Sequence, residues 1–491
     1  MQTLNAAALD ALDVTVAKPE YDRRRVTPGI AHFGVGGFHR AHQAMVLDTL
    51  MNEGEALDWG IVGIGVMPGD RRMQEALAAQ DHLYTLVVKY PDGDYQARVI
   101  GSIVDYLFAP DDVEKVLATL VDPQIRIVSL TVTEGGYNFH HVTGEFDLDN
   151  PDVARDLASP TAPTTSFGIV VEALARRRAA GIAPFTVMSC DNIQGNGEVA
   201  HRMFVAYARA RDAELGAWID AEVPFPNSMV DRITPVTTEE DIEEVRRRFE
   251  LDDRWPVVCE PFTQWVLEDH FNAGRPPFER AGVQVVDDVM PYELMKLRLL
   301  NASHQALTYF GYLAGYRYAH EVCQDPLFVQ FLLDYMNEEA TPTLSPVPGV
   351  DLDDYKHTLI ERFANPEIRD TLARLCAESS DRIPKWLLPV VREQLDSGGD
   401  IQRSAAVVAS WARYAEGRDE QGEPITIVDR LKDELTAIAQ RNRTEPTAFI
   451  ENRQLFGDLA DDARFREAYL DALERLHRDG ARACVEWLVA R

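Results

Sequence analysis

A chain of 491 residues is too long for one hydrophobic core and implies two or three domains. Its net charge of −31 opposes nucleic acid and anionic membrane surfaces as partners, and no apolar run reaches the length of a membrane span. The five cysteines, Cys190, Cys259, Cys323, Cys376 and Cys484, are scattered and odd in number, which points to a reducing, cytoplasmic setting without structural zinc. Neither His39 with His42 nor His140 with His141 has a third ligand nearby in sequence, so no metal site is expected. The first fourteen residues are acidic rather than basic and do not read as a signal peptide.

Residues 1–28 read as a loose lead-in. Ile30 to Phe33 is a short apolar strand, Gly34, Gly36 and Gly37 form a tight turn, and a helical pattern runs from His39 to about Met51. Strand, glycine-rich turn and helix together form a cradle in which backbone N–H groups can meet a pyrophosphate. His39 stands where the third glycine of G-x-G-x-x-G would fall, so a plain strand-to-helix turn remains open as an alternative. Trp59 to Met67 is a second strand that leads to Asp70, where a dinucleotide fold holds the ribose hydroxyls. An acid there favours NAD over NADP, although Arg71 and Arg72 pull the other way, and Asp70 also suits the N-cap of a helix over 71–79. Leu83 to Tyr90 and Tyr95 to Ile103 form a hairpin across Pro91-Asp-Gly-Asp94.

A helix over 110–120 precedes Ile125 to Thr133, a β-branched strand of the buried parallel kind. It runs into Glu134-Gly135-Gly136-Tyr137, placed to face a ligand at the carboxyl end of a sheet. Residues 138–165 read as an irregular excursion, followed by a helix over 167–180 and a buried strand, Phe185 to Cys190, that ends in Asp191-Asn192. Asn192 is either an amide aimed at a reacting oxygen or a turn asparagine. A helix over 198–212 follows. Asp231-Arg232, set among apolar residues, reads as a buried ion pair or a substrate contact. Residues 236–255 are helical, and short strands are expected at 257–262 and 283–286. After about residue 286 helical periodicity dominates, with helices expected at 325–338, 351–364, 367–377, 386–396, 402–416, 428–441 and 463–488. The pattern divides the chain into an α/β nucleotide-binding domain, 1–285, and a mostly α-helical domain, 286–491.

The helix expected over Pro291 to Tyr316 is apolar but carries Glu293, Lys296, Asn301 and His304. At α-helical spacing all four fall on one face, within an arc of about 140°. Leu297 and Leu300 share that face, so the polar groups must be paired or must line a cavity. Two readings stand: a half-exposed helix whose lysine snorkels to water, or a catalytic face. In the second, a desolvated Lys296 takes a proton near neutral pH, Asn301 donates to a developing alkoxide, and His304 holds a further hydroxyl.

These residues resemble the polyol-specific long-chain dehydrogenases. The likeness is carried by residues 29–44, 128–137, 185–192, 229–235, 259–269 and 295–309, and the Lys-x4-Asn-x2-His element is its most specific part. It implies a Rossmann-type α/β N-terminal domain, a mostly helical C-terminal domain, and zinc-independent, NAD(P)-dependent interconversion of an alcohol and a ketone, D-mannitol and D-fructose, for which Asp70 favours NAD. Fructuronate, tagaturonate and arabinitol enzymes belong to the same family, and Met67-Pro68-Gly69 resembles the uronate reductases. The resemblance makes Lys296 the general base, Asn192 and Asn301 the amides on the reacting oxygen, and Glu293 the group controlling proton exit. It makes His304, Asp231, Arg374 and Arg382 substrate contacts, although the family has a lysine near the last. It places the cofactor on Phe33, Gly34, Val35, Gly36, Gly37 and Phe38, with Asp70, Glu134 and Gly135. It also implies a monomer.

Overall fold

The computed structural model describes residues 2–139 and 144–491; His140, His141 and that part of the expected excursion lie outside the described residues. The chain divides into two compact units, Met1–Met290 and Pro291–Arg491.

The first unit is built on five parallel strands: β1 (Pro28–Phe33), β2 (Gly60–Gly65), β3 (Ile103–Phe108), β4 (Ile127–Leu130) and β5 (Thr186–Ser189). Their order is β3-β2-β1-β4-β5. This is the doubly wound order of a dinucleotide fold, reversing direction at β1. Neighbouring residues along a strand point to opposite faces. Ile30, Ile61, Ile103 and Ile127 enter one core with Leu47, Met73 and Leu77. Ala31, Val62, Val128 and Val187 enter the other with Leu117, Leu174 and Phe204. Both faces are covered, which is why most of these strands read as largely apolar runs; Ile103–Phe108, with Asp105 half-buried, is the exception.

The strand expected over Tyr95 to Ile103 ends at Ile100, and a further strand, Ile103–Phe108, was not expected. Tyr95–Ile100 pairs antiparallel with Tyr84–Lys89, as the turn between them requires. The chain then breaks at Gly101, where a Cβ would meet Pro19 and the hydroxyl of Tyr21 at 2.9 Å, and Ile103–Phe108 enters the parallel sheet. The lead-in is not loose: Gln2–Thr3 pairs with Leu251–Asp252, and Val16–Ala17 with Ala97 and Arg98. The excursion contains a helix, Pro151–Ala158, capped by Asn150, and a further helix, Ala213–Glu222, is capped by Asp212. The strand Gln264–Glu268 lies between Ser228–Asp231 and Gln284–Val286.

The second unit has no strand among its described residues and packs helices such as Gln402–Tyr414 and Ala463–Arg478 together. The helix expected over 463–488 is interrupted at Gly480, whose φ is +88°. Only Leu372–Cys376 is helical within 367–377, where Arg369 has a φ of +50°. The expected fold class, a Rossmann-type α/β domain followed by a mostly α-helical one, is borne out. No described helix is long and apolar enough to cross a membrane.

Candidate active site

In the first unit the candidate cofactor residues lie at the carboxyl ends of β1, β2 and β4. Gly34 has a φ of +91°, and a Cβ there would lie 2.1 Å from the Thr131 carbonyl oxygen, so the fold itself requires glycine. Gly36 is different. Its backbone is extended, and a built Cβ would meet only the Gly34 carbonyl, at 3.8 Å. Nothing in the protein demands a glycine there; what the missing side chain leaves is open space above the first turn of Gly37–Ala41, the place a pyrophosphate occupies in such a fold. Phe33 and Val35 are buried in the core and present only backbone, while the Phe38 ring stacks on His42 at 5.0 Å.

The missing third glycine has a structural replacement. His39 is buried and lies flat on His32, ring centroids 3.5 Å apart and 10° from parallel. His32 meets the hydroxyls of Ser129 and Thr131 at 2.7 and 3.0 Å. Burial pushes the His32 imidazole down to about 3 and holds His39 well below the usual range, so the pair is neutral. Two stacked neutral rings fill the gap between helix and strand that a glycine otherwise closes. The sequence reading did not find His32, because a lone histidine in an apolar strand carries no signal.

Asp70 does not cap the helix that follows it. Its Oδ2 accepts from the N–H groups of Val66 and Met67, each at 2.9 Å, and closes the turn after β2. Arg71 is held by Asp111 through two bonds of 2.6 and 2.5 Å and lies over the Phe108 ring. Arg72 lies over Trp255. Of the two arginines that oppose an NAD preference in the sequence, Arg71 is thus already engaged by a carboxylate and Arg72 by a ring.

The ends of β4 and β5 are tied together by Asp191. It accepts from Thr133 N–H (2.8 Å), Val132 N–H (3.2 Å) and the Tyr137 hydroxyl (2.8 Å). Thr133 has a φ of +65°, costly for a β-branched residue, and Asp191 is the group that satisfies its N–H. Burial raises the Asp191 carboxyl to about 6, against the pull of these donors. The knot fixes Glu134–Tyr137 as a short 3-10 turn on one side and the exposed Asn192 on the other. Gly135 opens on free space. The sequence reading named Asp191 only as the neighbour of Asn192. Asp231 is buried at the end of Ser228–Asp231. Arg232 donates to the carbonyls of Ala41 (2.7 Å) and Glu260 (2.9 Å).

In the second unit the four polar residues of this segment are buried, but their helix is not a uniform α-helix. Met290–Met295 is α-helical with Pro291 in its first turn, Lys296–Asn301 is a π-helical turn, and Ala302–Leu313 is α-helical again. The N–H of Ala302 reaches five residues back to Leu297. A five-residue repeat brings Lys296 and Asn301, five apart, closer to one line along the helix than α-helical spacing does. The half-exposed reading is overturned as well: residues 295–310 are all buried, Lys296 at 7% exposure and Asn301 at 4%. Glu293 and His304 are buried too, and the His304 ring lies 4.3 Å from that of Phe363. The Asn301 Nδ2 has no hydrogen-bond partner among the described residues. An unpaired buried donor is costly and calls for a ligand.

Arg374 is exposed and is gripped by Asp370 at 2.6 and 2.5 Å. Arg382 donates to the Leu375 carbonyl at 3.0 Å and sits 5.6 Å from the Trp386 ring. All five cysteines are free and buried, and among the described residues no three His, Cys, Asp or Glu side chains are grouped to hold a metal.

Two family models match the chain: the mannitol dehydrogenase Rossmann domain over residues 28–280 and the mannitol dehydrogenase C-terminal domain over 288–477. The chain belongs to the mannitol dehydrogenase family. Among relatives of this family member, the mannitol 2-dehydrogenase of Phaeosphaeria nodorum is 48% identical over 98% of this chain and 85% of its own length. That of Aspergillus fumigatus is 48% identical over 97% and 95%. Among solved structures, the Pseudomonas fluorescens mannitol 2-dehydrogenase ternary complex with NAD and D-mannitol is 45% identical, with a TM-score of 0.92 over all of both chains. A substrate-free D-sorbitol dehydrogenase is 39% identical, with a TM-score of 0.90 over 99% of this chain and 100% of its own. The Rossmann match spans the glycine turn, Asp70 and Asn192; the C-terminal match spans Glu293, Lys296, Asn301, His304, Arg374 and Arg382.

Proposed function

We propose that this chain interconverts D-mannitol and D-fructose with NAD, the reaction for which its relatives are named. The observation that carries the reading is the widened turn with a buried lysine at one end and, at the other, a buried amide whose donor has no partner among the described residues. The open space at Gly36 and Gly135 fits a dinucleotide on residues 1–285. Phe33 to Phe38, Asp70, Glu134 and Gly135 hold it there; residues 286–491 carry the substrate. A bound NAD would supply the acceptor for the hydride of the alcohol carbon, and its reduced form the donor in the reverse direction.

The chain's own residues handle the proton and the oxygen. Lys296 takes the hydroxyl proton, and Asn192 and Asn301 donate to the oxygen as its negative charge grows. Two amides and an amine supply this without a metal. Glu293 passes the proton onward, and His304 and Asp231 hold the other hydroxyls. Arg374 and Arg382 border the substrate. Because Asp370 already fills the fork of Arg374, the site suits an uncharged polyol better than a sugar acid. The free cysteines fit a reducing cytoplasm, and we read the chain as a monomer, which sedimentation tests directly.

The test is NADH oxidation with D-fructose near neutral pH, with NADPH and D-fructuronate as comparisons and the product identified as mannitol or sorbitol. Turnover of fructose to mannitol with NADH supports the reading; a large preference for fructuronate ends it. Lys296→Ala should cost roughly 10²–10⁴-fold in kcat while leaving NADH binding intact.

A further inference from the structure

The widened turn between Lys296 and Asn301 needs a reason, because nothing in the local sequence demands it. In an α-helix the N–H of Ala302 would bond the Arg298 carbonyl, but here it passes over that residue to Leu297. The Arg298 carbonyl accepts instead from the Tyr335 hydroxyl, at 3.0 Å. Tyr335 is fully buried, and burial keeps its hydroxyl protonated, hence a donor. The Arg298 side chain is held too: it donates to both oxygens of Glu393, at 2.8 and 2.6 Å, and to the Thr343 carbonyl at 2.7 Å.

Tyr335 has a firm mounting. It opens a second π-helical turn, Tyr335–Ala340, in which Thr341 N–H reaches Met336. The Glu339 carbonyl of that turn accepts from Gln394, at 2.6 Å. The Glu339 carboxylate accepts from the N–H groups of Arg403 and Ser404, at 2.6 and 2.8 Å, at the start of Gln402–Tyr414. One widened turn therefore braces the other.

We propose that Tyr335 is a positioning residue for the reaction: its hydroxyl, with the Arg298–Glu393 bridge as a second brace, keeps the Lys296–Asn301 turn wide and so sets the spacing of amine and amide. The proposal rests on the reading of Lys296 as base. Tyr335 touches no substrate. Without its hydroxyl the unpaired Arg298 carbonyl draws Ala302 back to α-helical bonding, and Asn301 rotates away from Lys296.

The test is Tyr335→Phe, which keeps the ring, and Glu393→Gln, which loosens the outer brace at a half-exposed position. Misplacement of reacting groups by about 1 Å costs about 10²-fold, so Tyr335→Phe should lower kcat by roughly 10–100-fold. NADH affinity should stay at the wild-type value, and the pH profile of kcat/KM should move. Amide exchange in a peptide spanning 296–303 should quicken. Glu393→Gln should change kcat and pH profile in the same direction, less strongly. Wild-type kcat and pH profile in Tyr335→Phe overturn the proposal, as does faster exchange with kcat intact. Should Tyr335→Phe not fold, wild-type kcat and pH profile in Glu393→Gln overturn it. Lys296→Ala separates the two ideas: full activity there sinks the base assignment, whereas a dead Lys296→Ala beside an unchanged Tyr335→Phe sinks the brace alone.

Discussion

Asn301→Ala distinguishes a donor kept for chemistry from one kept for the fold. The Nδ2 of Asn301 is buried and lacks a partner among the described residues. A buried polar group left unpaired costs about 1–3 kcal/mol, so the resting protein already bears that cost at Asn301. Removing the amide removes it. The packing lost with three heavy atoms offsets the gain, and the net change in unfolding free energy should stay within about 1 kcal/mol. Catalysis should respond differently. A donor aimed at a developing oxyanion is worth about 2.7–4 kcal/mol, or 10²–10³-fold in kcat. The assay pairs kcat and KM for fructose reduction with urea unfolding of wild type and variant. A loss of about 3 kcal/mol in stability together with a kcat within about threefold of wild type would refute the reasoning and make Asn301 a packing residue.

Two further outcomes follow from charges that are already engaged. Asp111→Ala frees Arg71, at the start of the helix after β2, to meet a 2′-phosphate; an exposed contact of about 1 kcal/mol predicts roughly a fivefold rise in kcat/KM with NADPH, and an unchanged ratio of NADPH to NADH use would count against the clamp. Burial pushes the Glu339 carboxyl up to about 7 from 4.5, so the folded chain keeps a proton that the unfolded chain releases. Stability from this group is complete below pH 4.5 and is lost as pH rises through 7, by about 3 kcal/mol. Glu339→Gln should flatten that part of the slope in urea unfolding at pH 5 and pH 8, and equal slopes would show that Glu339 does not carry it.

Four of the five parallel strands were legible because they are mostly buried and mostly apolar; Ile103–Phe108, with Asp105 in its middle and only half-buried there, was not. What was not legible depended on distant partners. The strand begun at Tyr95 was carried on to Ile103 and the strand Ile103–Phe108 was missed, because the break at Gly101 is set by Pro19 and Tyr21, far back in the chain. The lead-in looked loose because two-residue strands carry no periodicity; they are made by pairing with Leu251 and Ala97. The residues of the candidate site fared better, since lysine, asparagine and histidine among leucines break the local pattern wherever the fold puts them. Asp191 escaped because an acid after a strand is common, and its importance lies in the strained Thr133 it serves.

Gly34 and Gly36 make the same point in miniature. In sequence they are equivalent members of one motif. In the structure the Thr131 carbonyl forbids any side chain at Gly34, whereas a Cβ at Gly36 would meet only the Gly34 carbonyl, at an ordinary 3.8 Å. The first glycine belongs to the fold and the second to whatever the fold holds. The turn at Lys296–Asn301 divides in the same way. Its residues are ordinary helix formers, so a uniform 100° per residue was the natural reading and missed the wider spacing. The groups that widen it, Tyr335 and Glu393, stand 37 and 95 residues from Arg298. Local sequence supplied the reactive groups, and long-range contacts set how far apart they stand. Substitutions at those distant braces should therefore alter turnover without altering any group that meets the substrate.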